Sequence, residues 1–290
     1  MLEGRIIRTY KGFYYIWANK ELHECRLRGR LKVTKPDLIT GDLVRFSPLE
    51  AQKGIIEEII PRHSLLKRPA IANIDQVLLV ASARNPDFST GIVDRFLLLI
   101  AAQHLPAVIC ITKNDLLSEE YDRSTFEYYR LIGYPLVYLS IQDEQGIKEL
   151  SHVLDDKISV LAGPSGVGKS SMLQILLPDM TFEVGSVSEK IGRGRHTTKH
   201  ANLLPWKNGA IADTPGFTSL GLQGWSKEEP KDYYPDFLEK SSDCRFRGSC
   251  LHSNEPGCAV KVAVESGQIP QWRYENYLSI LAEIQDVRLY

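Results

Sequence analysis

The run Gly163-Pro-Ser-Gly-Val-Gly-Lys-Ser170 constrains the chain more than any other feature. It fits the pattern GxxxxGK[ST], follows the strand-like KISVLAG and opens the helix-like KSSMLQILL. That context is what the motif requires. Glycines let successive backbone N–H groups curl around phosphate oxygens where a Cβ would clash. The helix after the loop presents the positive end of its dipole. Gly163, Pro164, Ser165, Gly166, Val167, Gly168, Lys169, Ser170 and Ser171 are therefore expected to cradle a nucleotide's phosphates. Lys169, counted with the catalytic groups, reaches the β- and γ-phosphates, and Ser170 holds Mg²⁺. The ordinary alternative is a glycine-rich turn without a ligand.

The surrounding segments fit a sheet that such a loop can crown. DQVLLVASA, AVICITK, PLVYLSI, KISVLAG and AIADTPG read as buried strands; VDRFLLLIAAQ, STFEYYRLIGY, IKELSHVL and KSSMLQILL read as helices between them. Strands alternating with helices imply a mostly parallel sheet covered on both faces. Asp213-Thr-Pro-Gly216 comes after its strand, about 45 residues past the phosphate loop. Asp213 suits Mg²⁺ through water, and the Gly216 amide suits the γ-phosphate; an ordinary Asp/Pro/Gly turn is the alternative. Thr112-Lys-Asn-Asp115 ends the strand AVICI. A carboxylate at Asp115 accepts hydrogen bonds from guanine N1 and N2, a pair adenine cannot offer, and losing two matched buried bonds is costly. The stem of Lys113 would lie under the base, Asn114 completes the turn, and Ser140 suits a loop closing over it. TKND precedes the phosphate loop by about 50 residues, the reverse of the usual GTPase order. The expectation is a circularly permuted P-loop GTPase domain, a rearrangement tolerated where chain ends lie close together. The cut also joins the γ-phosphate-sensing segment 216–221 directly to the C-terminal part, so nucleotide state is expected to move that part.

Phe217 occupies the position after DxxG where many GTPases carry a Gln that orients water. Slow intrinsic turnover is the consequence. His196, in Gly192-Arg-Gly-Arg-His-Thr-Thr198, can hold a water and exchange a proton near neutral pH. Thr197 or Thr198 could complete the Mg²⁺ shell. The alternative is that Arg193, Arg195, Lys199 and His200 make this loop an RNA-binding strip with His196 as one contact among several.

The flanks have other textures. Residues 1–64 hold 12 Lys and Arg against 8 Asp and Glu, a net of +4 in a chain whose total is −1. RIIRTY, FYYIWA, ECRLRGRLKV, DLVRFSP and GIIEEII read as five short strands with tight turns, hence an OB-fold β-barrel that binds RNA; a merely solvated basic face is the plainer reading of the charge. Past Gly221, Cys244-x5-Cys250-x-His252-x5-Cys258 sets three thiols and an imidazole within 15 residues. Four such ligands with no open position make one structural zinc site. The closing segment, with Trp272, Tyr277, Ile280, Leu281 and Ile284 on one face, reads as a helix packed on that knuckle; Arg273, Tyr274 and Tyr277 could alternatively meet RNA. The chain thus reads as multidomain α/β: 1–64 barrel, 65–220 GTPase, 221–290 zinc-binding domain with helix. No apolar run approaches the ~18 residues of a membrane span, and the N-terminus lacks a secretory apolar core, so a cytoplasmic protein away from membranes is expected.

Together ANIDQV at 72–77, TKND, GPSGVGKSS at 163–171, GRGRHTT, DTPGF at 213–217 and the Cys-Cys-His-Cys set resemble the RsgA (YjeQ) family of circularly permuted GTPases, over the whole chain. The resemblance implies an OB-fold, a permuted GTPase and a zinc domain, with Zn²⁺, Mg²⁺ and GTP or GDP bound. It implies late maturation of the small ribosomal subunit, contact with its rRNA, and GTP hydrolysis stimulated by the subunit and followed by release. It also points to His196, and a monomer is expected. Thr112 departs from the general Asn. Two other readings compete: a small-molecule P-loop kinase, which leaves TKND, the barrel and the zinc set unexplained, and an RNA-binding module whose nucleotide is never hydrolysed, which Phe217 permits.

Overall fold

Alternation along the first five strands decides their shape. The computed structural model describes residues 1–29, 31, 37–67, 69–118, 120–140, 144–178, 202–213 and 221–287. Strands β1 (Leu2–Tyr10), β2 (Phe13–Ala18), β3 (Glu21–Leu27), β4 (Leu43–Leu49) and β5 (Lys53–Ile59) close into a barrel in the order β1-β2-β3-β5-β4. Every second residue points inward, so Ile6, Ile16, Cys25, Val44, Phe46 and Ile56 fill the interior. A parallel β3–β5 pair and an antiparallel β1–β4 pair complete the closure. This is the five-stranded OB-type arrangement expected. The third strand is shorter than ECRLRGRLKV suggested: it ends at Leu27, and the Arg28 N–H turns to the Ile56 carbonyl.

A short hairpin, β6 (Leu65–Lys67) and β7 (Ala70–Ala72), leads out of the barrel. Buried Asn73 clamps the junction: its Oδ1 accepts from the His63 N–H, and its Nδ2 donates to the Gly41 carbonyl, both at 3.0 Å. The next residues staple the second sheet. Asp75 accepts the Ile158 N–H at 2.7 Å, and Gln76 donates to Ser159 Oγ at 2.9 Å. These bonds give ANIDQV its work.

The second sheet has six strands: β8 (Gln76–Ser82), β9 (Ala107–Thr112), β10 (Leu136–Tyr138), β11 (Ile158–Ala162), β12 (Asn202–Trp206) and β13 (Gly209–Asp213), in the order β10-β9-β8-β11-β13-β12. All neighbours run parallel except β12 against β13. Helices α1 (Thr90–Ala101), α2 (Ser124–Leu131), α3 (Glu144–Leu154) and α4 (Lys169–Leu176) make the connections. Continuous apolar runs are what a sheet covered on both faces demands. Val77, Leu79, Ile109, Ile111 and Val160 enter one core, while Leu78, Val80, Val108, Cys110 and Leu161 enter the other.

The C-terminal part contains α5 (Pro235–Ser241), α6 (Ala259–Glu265) and α7 (Gln271–Val287) around Tyr234, Phe237, Tyr277, Ile280, Leu281 and Ile284. Leu98 and Leu99 of α1 belong to this core too, so one helix serves both bodies. Trp272 leaves the stripe expected for α7 and packs edge-on to Tyr128 at 5.6 Å between ring centroids. Among the described residues no helix is long and apolar enough to cross a membrane.

Candidate functional site

Strand order locates the site. From β8 the chain moves outward through β9 to β10; it then returns to place β11 on the other side of β8, with β13 beyond. The crevice at the carboxyl ends of β8 and β11 is the topological switch point where open α/β sheets bind ligands. The phosphate-loop candidates come directly after β11, TKND spans the end of β9, and Ser140 lies just past β10. The register sets Asp213, last residue of β13, beside Leu161 of β11. These features all share one edge of the sheet.

The loop after β11 has the backbone its glycines allow. Gly163, Gly166 and Gly168 all have positive φ, and a Cβ on Gly163 would stand 2.1 Å from the Val80 carbonyl oxygen. Gly168 caps α4, so Lys169 and Ser170 lie in its first turn, with Ser170 exposed. The Lys169 ammonium donates to the Gly163 and Pro164 carbonyls at 2.8 and 2.6 Å, which lays its positive charge across the loop. This arrangement can take polyphosphate: a glycine turn, a helix N-terminus and a cation.

The base side is tied to the phosphate side. Thr112, 6% exposed, donates from Oγ1 to the Val167 carbonyl at 2.5 Å. Lys113, in the left-handed region, sends Nζ to the Gly166 carbonyl at 3.0 Å and to the Asn85 carbonyl. Asn114 anchors its N–H on Leu139, and Asp115 stands exposed in the 3-10 turn Asn114–Leu116. A cleft of about 370 Å³ opens between these elements. Thr112, Lys113, Asp115, Ser140, Gly168 and Ser171 are among its lining residues, and Leu116, Leu139, Ile147, Leu150, Met172 and Ile175 make an apolar wall. An apolar slot with a carboxylate at its mouth suits a flat heterocycle that carries donors.

His196, Thr197, Thr198, Gly216 and Phe217 lie outside the described residues, as does the 216–221 link apart from Gly221.

The second cluster lies in the C-terminal body. Ligand atoms of Cys244, Cys250, His252 and Cys258 all fall within 4.8 Å of one another, and all four residues are buried. His252 Nδ1 is 3.6 Å from Cys244 Sγ and 3.4 Å from Cys258 Sγ, and the two sulfurs are 3.9 Å apart. A tetrahedral zinc with ordinary bond lengths needs edges of about 3.6 Å for S–N and about 3.8 Å for S–S. The donor set therefore fits one metal ion. Without a cation, burial pushes the Cys258 thiol up to about 12 and raises Cys250 as well. Burial also lowers His252, in the direction of the neutral ring that a ligand must have.

Outer contacts shape the knuckle. Burial works to raise the Glu255 carboxyl, but N–H donors from Leu251 and Ser253 hold it below the usual range. Tyr274 and Tyr277 donate to the carbonyls of His252 and Leu251 at 2.8 and 2.7 Å. These tyrosines pack on the knuckle. Arg273 is 1% exposed: it grips Asp236 through Nε and Nη2, both at 3.1 Å, and Asp94 through Nη1 at 2.5 Å. Sequence reasoning missed this pairing, which spans 179 residues between Asp94 and Arg273. It also missed Thr112 as a tether and the loop at Asn85; the Thr in place of Asn was the one available signal.

The comparisons agree with this geometry. A family model described as RsgA GTPase matches residues 59–223, and one described as RsgA N-terminal domain matches residues 3–56. The chain is 44% identical over 289 residues to the small ribosomal subunit biogenesis GTPase RsgA of Geobacillus sp. (strain WCH70), covering 99% of this chain and 98% of that one. The protein of the same name from Bacillus subtilis (strain 168) is 42% identical over 294 residues, with 99% and 98% covered. Among solved structures, YloQ, described as a circularly permuted GTPase, superposes with a TM-score of 0.81 at 39% identity over 99% of this chain and 96% of that one. YjeQ from Thermotoga maritima gives 0.82 at 36% identity, with 98% of each chain covered.

Proposed function

The chain belongs to the RsgA family of circularly permuted GTPases and is a GTP hydrolase; on that premise we propose that it binds the small ribosomal subunit and assists its late maturation, hydrolysing GTP to GDP and phosphate when the subunit stimulates it. The observation that carries the nucleotide part is the joining of TKND to the phosphate loop by Thr112 and Lys113. It supports Asp115 as the guanine reader, with Thr112, Lys113, Asn114 and Ser140 building the base site. Residues 163–171 and Gly216 would bind the phosphates. Ser170, Asp213 and Thr197 or Thr198 would hold Mg²⁺, which offsets phosphate charge when bound.

Phe217 offers no side-chain group to orient water. His196 supplies that group in this reading; if His196 instead touches RNA, stimulation comes wholly from the subunit. Cys244, Cys250, His252 and Cys258 would hold one zinc ion with no ligand position left for substrate, so its contribution is structural. We place the protein in the cytoplasm, acting as a monomer, with the domains divided at 64 and 220.

Two surfaces favour rRNA as the partner. On the barrel, Arg8 lies over the Tyr15 ring at 4.7 Å and Arg26 over Phe13 at 4.3 Å, beside Tyr10, which is 47% exposed. On the knuckle, Arg245 stands 5.7 Å from the exposed Phe246 ring, and neither Arg245 nor Arg247 has an ion pair among the described residues. Guanidinium groups lying against surface aromatic rings suit stacked bases and phosphates. The test is phosphate release from GTP and from ATP, each with and without purified small ribosomal subunits. Slow GTP turnover accelerated by the subunit, with ATP inert, is expected. Turnover indifferent to the subunit would remove it as the partner, and equal use of ATP would remove the guanine assignment.

A further inference from the structure

The buried charges between α1 and α7 suggest a mechanical role the nucleotide site alone does not explain. Asp94 accepts from Arg273, from Tyr129 Oη at 2.7 Å and from Asn276 Nδ2 at 2.7 Å. Asp236 of α5 accepts the fork of Arg273 and Tyr128 Oη at 3.0 Å. The Arg273 guanidinium also lies over the Tyr234 ring at 4.2 Å. One cation therefore holds a carboxylate from the sheet-bearing body and another from the zinc body. Around it, Arg95 pairs with Glu283, and Leu98 and Leu99 enter the zinc-side core. Gly91 lets α7 come close: a Cβ there would sit 3.3 Å from Asn276 Oδ1.

The same helix is fastened to the crevice. Ser89 caps α1, and the loop just before it meets the site where Lys113 Nζ donates to the Asn85 carbonyl. Ser82 Oγ holds the Pro86 carbonyl at 2.6 Å. A continuous set of contacts thus runs from the phosphate loop and Lys113 through residues 82–89 into α1, and from α1 through Arg273 into the zinc knuckle.

We propose that Arg273 is a latch that makes the zinc domain and the nucleotide-binding sheet one cooperative unit, so that ligand bound in the crevice stabilises the knuckle through α1 independently of the 214–220 link. The proposal rests on the reading of the crevice as a guanine-nucleotide site. Linkage then requires reciprocity: GDP protects the zinc domain, and loss of the knuckle's fold weakens GDP binding.

The experiment is hydrogen exchange on the full chain with and without Mg²⁺ and GDP at 100 times its Kd. The slowest amides of 271–284 should slow about 100-fold, by the same factor as those of 76–82 and 158–162, because a ligand that binds only the folded unit protects every amide that opens with it. Asp94→Asn should leave the slowing at 76–82 and shrink it at 271–284. Slowing confined to the sheet in the wild-type chain would overturn the latch with no variant needed. No slowing in either region would overturn the nucleotide reading and the proposal together.

Discussion

Replacing Thr112 by Val tests whether the base loop organises the phosphate loop. The exchange keeps volume and removes only the hydroxyl. Thr112 Oγ1 has one proton and two carbonyls in reach, Val167 at 2.5 Å and Ala81 at 3.3 Å, so the bond goes to Val167. Carbonyl and N–H lie on opposite sides of a planar trans peptide. Holding the Val167 carbonyl therefore aims the Gly168 N–H away from Thr112 and fixes the peptide that opens α4. With Val in place, a buried acceptor loses its partner, which costs about 1–3 kcal/mol. Where the loop must be realigned to meet phosphate, that cost appears as a GDP dissociation constant raised about 5- to 150-fold. Titration calorimetry with GDP and with guanosine measures it. Guanosine, which lacks the phosphates, should lose far less, and Thr112→Ser should bind GDP as the wild type does. A folded Thr112→Val protein with unchanged GDP affinity would refute the tether.

Four further outcomes are expected. Arg273→Met strands two buried carboxylates and should lower unfolding stability by about 3–5 kcal/mol in denaturant melts, with a smaller loss when Asp94 and Asp236 are made apolar too. Cys258→Ala should reduce bound zinc from one equivalent to a small fraction, measured by elemental analysis, and broaden the NMR signals of α6 and α7. His252 must be neutral to ligate, so protons compete with the metal for its ring; loss of bound zinc to a chromogenic chelator should rise as pH falls from 7 to 5. His196→Ala should abolish most subunit-stimulated GTP turnover and leave GDP affinity unchanged; unaltered stimulated turnover would assign His196 to RNA contact instead.

What could be read from the sequence was what local geometry dictates. The turn at 163–168 was legible because positive-φ positions call for glycine and because a strand and a helix frame it. Strands β8, β9 and β11 were legible because both their faces are buried, so nearly every residue is apolar or small. The Cys3His cluster was legible because its four members lie within 15 residues. The end of β3 was not: ECRLRGRLKV keeps strand-like residues past Leu27, and the turn of Arg28 toward Ile56 comes from barrel closure. Arg273 was invisible as a latch for a related reason. Its partners Asp94 and Asp236 lie 179 and 37 residues away, and a lone Arg on a helix carries no mark of the carboxylates that will surround it. Lys169 was read as a phosphate ligand, and its hold on the Gly163 and Pro164 carbonyls was not foreseen.

The strand order also sets a schedule for synthesis. Strand β8 leaves the ribosome early with β9 and β10 soon after, yet its other neighbour, β11, pairs with it across 83 residues of chain, as Gln76 and Ser159 show. At about 5–20 residues per second, that interval lasts roughly 4–17 s. Throughout it, β8 is an edge strand whose residues past Gln76 are all apolar or small, the kind of edge that invites pairing with another chain. An unpermuted order would emit the phosphate-loop strand first and shelter β8 on arrival. In this chain the nascent protein must guard that edge until the second half of the sheet is made, and the barrel, finished earlier, is the folded neighbour at hand while it waits.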